Sequence, residues 1–402
     1  MITVEEALQI VLDNARDIGI EEIPLEAAMG RVLREEVSAD RDFPPYDRIT
    51  MDGIAIRYDR FKQGCRTFHI EGVVAAGAEK QSLKNPDACL EVMTGAIMPG
   101  GADTVIRYED ILIDEGKATI QLDALVLGQN VHDRGADRVK GQKLLEQGVR
   151  ISASEIGVCA TVGKHQIKVS RLPKALVLST GNELVEINEI PQDHQIRKSN
   201  VHCAASLLRS YKVPVDIAHL MDDYDEIIVK MKEYLNTYDV ILLSGGISKG
   251  KFDFLPDALK ESGVRQLFHK VRQRPGKPFW FGQYGNDTTV FAFPGNPVSG
   301  FMCLFHYFFP WLESSTGWIG NKELPVAVLA EDIQFKPDLT YFLQVQLRFE
   351  KDGRIGAYPM KGNGSGDLAN LTSTDAFLIL PQDTVHFKKG SIYPYIAFRS
   401  IF

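Results

Sequence analysis

The sequence predicts a multidomain α/β protein, in which a central α/β domain with a mainly parallel sheet is flanked by β-rich parts. Three observations support this prediction. From residue 172 onward, short apolar strands alternate with amphipathic helices, a pattern typical of βαβ units. Between residues 57 and 140 the chain consists of short β-like runs separated by Gly, Asp and Asn. Beyond residue 319 helical periodicity fades and β-like runs return.

The N-terminal segment begins with an amphipathic helix. Thr3 and Glu6 have the spacing of a capping box, and apolar residues form one stripe as far as Ile18. Gly19 is expected to end this helix, and a second helical stretch is expected at 25–32. Strands are expected at 70–76 and 118–122, followed by short mixed elements over 141–170.

The α/β part is predicted element by element. We expect helices at 199–211, 225–236 and 296–315, and buried strands at 174–179, 213–220, 239–244 and 290–293. A small all-β domain is predicted after the α/β part. It would consist of strands at 325–330, 342–348, 376–379 and 392–398, with a turn at Asp352-Gly353.

Composition argues against several classes of protein. The 402 residues carry 45 Lys and Arg against 53 Asp and Glu, a net charge of −8, so no general attraction to nucleic acid or an anionic membrane is expected. The N-terminus lacks the pattern of a signal peptide, and no apolar stretch is long enough to span a bilayer. The five scattered cysteines contain no CxxC pair. We therefore expect a cytoplasmic protein without a disulfide framework or structural zinc.

Three loops that follow predicted strands have the composition of a phosphate site. They are Ser179-Thr180-Gly181, Ser244-Gly245-Gly246 with Ser248, and Pro294-Gly295-Asn296-Pro297. Ligands of α/β sheets bind at the carboxyl ends of strands, and backbone N–H groups in such turns bind phosphate. One such loop alone is usually only a tight turn, but three in one sheet favour a site. None matches a P-loop or a Rossmann fingerprint.

Other candidate residues are charged. The run from Arg272 through Arg274 to Lys277 places three cations around a Pro-Gly turn, which suits an oxyanion site but also a solvated turn. Four acids are candidate Mg²⁺ ligands, with a surface charge or helix cap as the alternative for each: Asp52, Glu183, Asp223 and Asp253. The nine histidines lack HExxH spacing and no GxSxG elbow occurs, which argues against a zinc site and a serine hydrolase.

Six segments, in order along nearly the whole chain, resemble the molybdopterin molybdenumtransferases, the family of MoeA and the gephyrin E domain. They are PPYDRITMDGIAIR, VMTGAIMPGGADTVI, GQNVHDRGAD, STGNEL with QIRKSN, SGGISKGKFDF, and RPGKP followed by FPGNPVSG. The resemblance implies a helical linker domain (1–56 and 141–171), an inserted β-rich domain (57–140), a molybdopterin-binding α/β domain (172–318) and a C-terminal β-barrel domain (319–402).

The resemblance also implies a reaction and its residues. Adenylated molybdopterin and molybdate would give molybdenum cofactor and AMP with Mg²⁺, in a homodimer whose site is shared between chains. Catalytic roles would fall to Asp52, Thr94, Asp137 and Glu183; molybdate would be bound by Arg274, Lys277 and Ser365, and Mg²⁺ by Asp253 with Asp223. Substrate-binding residues are expected in the three loops: Ser179, Thr180, Gly181, Ser244, Gly245, Gly246, Ser248, Pro294, Gly295, Asn296 and Pro297.

The chain differs from the family pattern mainly in charge, because several acidic positions are lost and basic residues are gained. Asn182, Ala136 and Lys198 stand where the family has acids, and Lys249 and Lys251 replace neutral and acidic residues. The lost acids leave open a molybdopterin-binding or scaffold homologue with weakened catalysis. A second alternative is another nucleotide hydrolase or adenylyltransferase that uses the same α/β domain. The PPYDRITMDG and MTGA segments argue against the second. Transient contact with an adenylylating protein or a receiving molybdoenzyme is the remaining partner expectation.

Overall fold

The computed structural model describes residues 1–247 and 255–399. Its first helix, Val4–Asp13, confirms the capping box, because the Glu6 amide donates to Thr3 Oγ1 at 3.1 Å and the Thr3 amide donates to Glu6 Oε2 at 2.8 Å. The predicted end at Gly19 is wrong. The helix stops at Asp13, and the side chain of Asn14 satisfies the Ile10 carbonyl at 2.8 Å.

The segments on either side of the β-rich insertion pack against each other. Ile20–Pro24 pairs antiparallel with Gln166–Ser170, and Val37–Ser38 pairs with Lys143–Leu145. The helix Ala153–Thr161 adds Cys159 to a shared apolar core that also contains Leu33, Ile151 and Val169. These contacts form the base from which the inserted strands emerge.

The predicted helix at 25–32 is wrong as well. Only the 3₁₀ turn Leu25–Ala27 forms. Gly30 has a φ of +78°, which no α-helical residue has, and Val32 forms a β-bridge with Arg150.

The insertion is built on a curled six-stranded sheet. Its strands, in spatial order, are Thr104–Arg107, Gly53–Ile56, Ala88–Val92, Thr67–Val74, Lys117–Ile120 and Ile111–Asp114. A short helix, Tyr58–Lys62, a 3₁₀ turn, Tyr108–Asp110, and the pair Arg48–Ile49 with Val131–His132 complete it. The inserted domain was predicted to begin at residue 57, and Gly53–Ile56, the first of these strands in the chain, lies just before that residue. The domain boundaries remain predictions.

The central α/β sheet confirms the predicted mainly parallel arrangement. In spatial order its strands are Val215–Leu220, Ala175–Thr180, Val240–Ser244, Thr288–Phe293, Trp280–Tyr284 and Arg265–His269. The first three pairings are parallel and the last two antiparallel. The antiparallel strands were not predicted. The helices Asn200–Ser210, Tyr224–Leu235 and Leu255–Glu261 belong to this part, and Leu184–Val185 pairs in parallel with Ile196–Arg197 beside it.

The predicted helix at 296–315 forms, with one irregularity. Pro297–Cys303 and Phe309–Ser315 are α-helical, and Leu304–Phe308 between them is a π-helix. Pro310, just beyond, lacks the N–H that the next regular bond would need. Among the residues that the structure describes, neither this helix nor any other is long and apolar enough to cross a membrane.

The C-terminal region contains the expected β-barrel. Thr340–Phe349, Ile355–Pro359, Val326–Leu329, Ile392–Ala397 and Ala376–Leu380 pair in that order, and the last pairs with the first. The pair Ile333–Gln334 with His386–Phe387 and the 3₁₀ segment Leu368–Ser373 lie outside this closed sheet. A short strand from the α/β part, Gln273–Arg274, pairs with Thr340 and Tyr341 of the barrel. This pairing ties the basic turn to the barrel.

Candidate active site

The three glycine-rich loops leave neighbouring parallel strands at the same level. Ser179 is in register with Ser244 on the next strand, and Ser244 is in register with Phe293 on the strand after it. Because carboxyl ends of parallel strands meet at one edge, the loops that follow these residues converge. The structure therefore brings together the parts of the three loops that lie among the described residues.

Asn200 joins two of these loops. Its side-chain amide donates to Ser244 Oγ at 3.0 Å and to the Gly295 carbonyl at 2.7 Å. The Gly245 amide donates to the Phe293 carbonyl at 3.1 Å. Asn200 was not among the predicted site residues, although it ends the QIRKSN segment and its side-chain amide is a hydrogen-bonding group.

Glycine is required in the first two loops. Gly181 has a φ of +133°, and a Cβ there would lie 2.5 Å from the carboxylate of Glu183. Gly246 has a φ of +69°, and its Cβ would lie 2.8 Å from Thr180 Oγ1. Thr180 of the first loop and Gly246 of the second are therefore adjacent.

A half-buried histidine is bonded to the first residue of the first loop. His219 Nδ1 and Ser179 Oγ share a hydrogen bond at 2.9 Å. Burial lowers the pKa of His219, with a further contribution from the nearby Lys198 ammonium, so this ring is neutral at pH 7. Lys198 is itself buried and pairs with Glu186 at 2.5 Å. The charge that departs from the family pattern is therefore internally compensated.

Of the two residues assigned to Mg²⁺, the structure describes only Asp223. Asp223 caps the helix Tyr224–Leu235, its Oδ1 accepting from the Glu226 amide at 2.9 Å. Asp253 and Ser248 lie outside the described residues. Among residues 1–247 and 255–399, no group of three or more His, Cys, Asp or Glu side chains could hold a metal ion.

A fully buried hydrogen-bond network supports the basic turn. The Gln273 side-chain amide donates to the Gly276 carbonyl at 3.0 Å, and its oxygen accepts from the Tyr307 hydroxyl. Gln273 and Tyr307 are both 0% exposed. A Cβ at Gly276, where φ is +93°, would lie 2.7 Å from Gln273 Nε2. Neither Gln273 nor Tyr307 was predicted, because a buried amide and a helical tyrosine have no distinctive pattern.

The basic turn forms one wall of a cleft of about 1020 Å³ between the α/β part and the barrel. Arg274, Lys277, Asn296 and Ser365 all line it. The Asn296 amide donates to Ser365 Oγ at 2.9 Å, and the Ser365 carbonyl accepts from the Val298 amide at 3.1 Å. The three residues expected to bind molybdate therefore share one cleft with the Pro294–Pro297 loop.

Asp52 and Thr94 form a second group, in the inserted sheet. The Thr94 hydroxyl and amide donate to Asp52 Oδ1 at 2.7 and 2.6 Å. These bonds, the hydroxyl first, hold the pKa of the Asp52 carboxyl below its usual range, so it is ionised at neutral pH. Gly53 is fixed by packing, because a Cβ there would lie 1.8 Å from the Ile106 carbonyl oxygen.

Tyr108 and Glu91 support this second group. The Tyr108 amide donates to the Asp52 carbonyl at 3.2 Å, and its hydroxyl donates to Glu91 at 2.8 Å. Burial, the bond to Glu91 and the charge of Asp52 raise the pKa of Tyr108 to about 12. Asp137, the remaining predicted catalytic residue, lies 3.0 Å from His132 Nε2.

The two groups of predicted residues are not joined directly. Within the described ranges, no hydrogen bond or ion pair links Asp52, Thr94 or Asp137 to the six-stranded α/β sheet. One group comprises the glycine-rich loops and the cleft, and the other comprises the Asp52, Thr94 and Asp137 segments of the insertion.

Three family models match successive parts of the chain. Residues 2–163 match the MoeA N-terminal region (domain I and II), residues 176–314 a probable molybdopterin binding domain, and residues 326–398 the MoeA C-terminal region (domain IV). A molybdopterin molybdenumtransferase of Synechocystis is 38% identical over 403 residues, covering 99% of this chain and 100% of the relative. The chain belongs to the molybdopterin molybdenumtransferase family.

Further relatives agree with this assignment. The molybdopterin molybdenumtransferase of Bacillus subtilis is 28% identical and covers 99% of this chain and 94% of its own. A crystal structure of a MoeA molybdopterin biosynthesis protein from Pyrococcus horikoshii superposes with a TM-score of 0.84, at 27% identity and with all of both chains covered. The family membership therefore extends over the whole architecture, barrel included.

Proposed function

We propose that this molybdopterin molybdenumtransferase family member inserts molybdate into adenylated molybdopterin, forming molybdenum cofactor and releasing AMP. The cleft that contains Arg274, Lys277 and Ser365 is the observation that carries the proposal. Neither cation has an ion-pair partner among the described residues, and the neighbouring hydroxyl and amide are hydrogen-bonding groups. Such a set suits a tetrahedral dianion. The names of the relatives supply the substrate class.

The other predicted site residues would bind the adenylated pterin and orient its reacting groups. The glycine-rich loops at the edge of the parallel sheet would bind the phosphates of the adenylated pterin through backbone N–H groups. Glu183, whose carboxylate lies against Gly181, and Asp52, held ionised by Thr94, would orient the reacting phosphate and oxyanion. Asp137 would act beside Asp52 from the same insertion.

We infer that the functional unit is a cytoplasmic homodimer with a shared site. Asp52 and Thr94 have no direct bond to the α/β sheet of their own chain among the described residues. A partner chain would bring its insertion to the glycine-rich loops and complete the site. Contact with an adenylylating protein or a receiving molybdoenzyme would be transient, as substrate delivery requires.

The proposal assigns the binding of Mg²⁺ chiefly to the substrate. The described residues do not form a cation site of their own, and Asp223 is engaged as a helix cap. The Mg²⁺ requirement that the family resemblance implies would therefore depend on substrate phosphate oxygens and on Asp253, outside the described residues.

A second candidate function is molybdopterin binding without efficient turnover. Two replaced acids favour it: Lys198 is buried in an ion pair with Glu186, and Asn182 uses its side-chain oxygen to accept from the Asp222 amide at 3.0 Å. Neither position can supply the carboxylate that the family has there.

One experiment separates the two functions. Purified protein is incubated with adenylated molybdopterin, molybdate and Mg²⁺, and AMP and molybdenum cofactor are quantified together. Equimolar AMP and cofactor in repeated turnovers support the transferase. Tight binding of adenylated molybdopterin without AMP release would instead establish the binding function and overturn the proposal.

A further inference from the structure

The loop 360–367 closes the cleft from the side of the barrel. At its start, the Met360 amide donates to the Gln344 carbonyl at 3.0 Å. Near its end, Ser365 binds the side chain of Asn296 and the amide of Val298. The loop is therefore fixed at one end to a barrel strand and at the other to the Pro294–Pro297 loop.

Internal bonds hold the loop between these two attachments. Asp367 accepts from the Asn363 amide at 3.0 Å and from the Asn370 amide at 3.3 Å. Asn370 in turn donates to Gln344 Oε1 at 3.1 Å. A Cβ at Gly362 would lie 2.8 Å from Asn370 Nδ2, so the backbone packs closely here. Residue 361 thus projects from a well-positioned backbone.

Lys361 lines the same cleft as Arg274 and Lys277. Among residues 1–247 and 255–399 its ammonium has neither an ion pair nor a hydrogen bond, which is also true of the Lys277 ammonium. The acids that line the cleft are Glu331 and Asp332, and Asp332 Oδ1 already accepts from the Lys389 amide at 2.6 Å. Beside these two acids, the cleft contains three cations from two parts of the protein, and none of the three has an ion-pair partner among the described residues.

We propose that Lys361 is a third cation of the oxyanion site, contributed by the barrel, and that it favours dianions over monoanions. This inference rests on the proposed function, because it assumes that the cleft binds molybdate. A lysine on a fixed backbone moves its ammonium to an anion without rearranging the loop. Each added positive charge attracts a dianion about twice as strongly as a monoanion of the same shape.

The test is direct binding of oxyanions to the full-length protein by calorimetry. Molybdate and tungstate serve as tetrahedral dianions, and perrhenate serves as a tetrahedral monoanion. Lys361→Gln is expected to weaken molybdate and tungstate binding by about three- to tenfold. Perrhenate binding should weaken by only about the square root of that factor. Lys361→Arg should restore much of the dianion affinity.

Lys351→Gln is the matched control. It makes the same change of charge on the same barrel, but Lys351 lines a different surface groove. It should leave all three affinities unchanged. Equal affinities for wild type and Lys361→Gln, with Lys277→Ala weakened, would overturn this inference and leave the proposed function standing. If the wild type binds neither molybdate nor tungstate, the oxyanion cleft itself is refuted, and both proposals fall.

Discussion

Replacing Tyr307 with Phe tests whether the network beneath the basic turn positions Arg274 and Lys277. In the wild type the Tyr307 hydroxyl donates to Gln273, whose amide donates to the Gly276 carbonyl inside the turn. The substitution removes one oxygen and leaves the aromatic packing in place. It therefore perturbs the turn through Gln273, and it leaves every side chain that lines the cleft unsubstituted.

The magnitude follows from burial. Gln273 and Tyr307 are 0% exposed, so water cannot replace the lost donor, and a buried acceptor without a partner costs about 1–3 kcal/mol. We expect the free energy of unfolding to fall by that amount. The loosened turn should also raise the Kd for molybdate by about three- to tenfold, because part of the binding free energy then goes into ordering the turn.

The assay combines denaturant unfolding with molybdate titration of Tyr307→Phe, Gln273→Leu and the double variant. A double-mutant cycle should give a coupling free energy of about 1 kcal/mol or more between the two side chains. Tyr395→Phe is the control, since Tyr395 is also a buried tyrosine and its hydroxyl has no hydrogen bond among the described residues. A normal molybdate affinity in Tyr307→Phe, whatever its stability, would refute the positioning role.

Three further predictions concern the insertion and the assembly. Gly53→Ala places a Cβ 1.8 Å from the Ile106 carbonyl oxygen and should lower the free energy of unfolding by about 3 kcal/mol. The control, Gly157→Ala, lies at an open helical position and should raise the free energy of unfolding by up to about 1 kcal/mol. Similar melting temperatures for the two variants would contradict this prediction. Thr94→Val removes the hydroxyl that lowers the pKa of Asp52. A carboxylate with a depressed folded-state pKa stabilises the protein above its unfolded-state pKa and loses that contribution as pH falls through the folded value. In Thr94→Val the contribution should therefore be smaller, and its loss should be complete at a higher pH. A carboxyl NMR titration checks the shift, and an unchanged Asp52 midpoint would count against it. Finally, an equal mixture of Asp52→Ala and Lys277→Ala chains is assayed at a molybdate concentration too low for Lys277→Ala alone. It should recover about a quarter of wild-type activity if the site is shared, because half of the dimers then carry one intact site; no recovery would indicate a site within one chain.

Local sequence patterns predicted an element correctly where a single interaction, such as apolar burial or a helix cap, determines its structure. The buried runs that became Ala175–Thr180 and Val240–Ser244 are too apolar to be anything but central strands, and the Thr3 capping box formed as written. The antiparallel strands Trp280–Tyr284 and Arg265–His269 escaped prediction, because a Gly within one and polar residues within the other obscure their pattern.

Individual residues of the candidate site could be predicted from the sequence, but the contacts that bring them together could not. Charge and glycine content pointed to the loops and to Lys277, and the family resemblance pointed to Ser365. The contacts that join them depend on Asn200, Gln273 and Tyr307, which act through single hydrogen bonds across long sequence separations. A hydrogen bond between residues far apart in the sequence produces no local sequence pattern, so it is seen only in the folded chain.

The molybdate dependence of cofactor formation tests the central claim most directly. Wild type and Lys277→Ala are titrated with molybdate at saturating adenylated molybdopterin, and the cofactor formed is measured. We predict that the variant needs about ten- to a hundredfold more molybdate, the loss expected for one charge-assisted hydrogen bond, with its affinity for adenylated molybdopterin unchanged. Equal molybdate dependence in the two proteins would contradict an oxyanion site in this cleft.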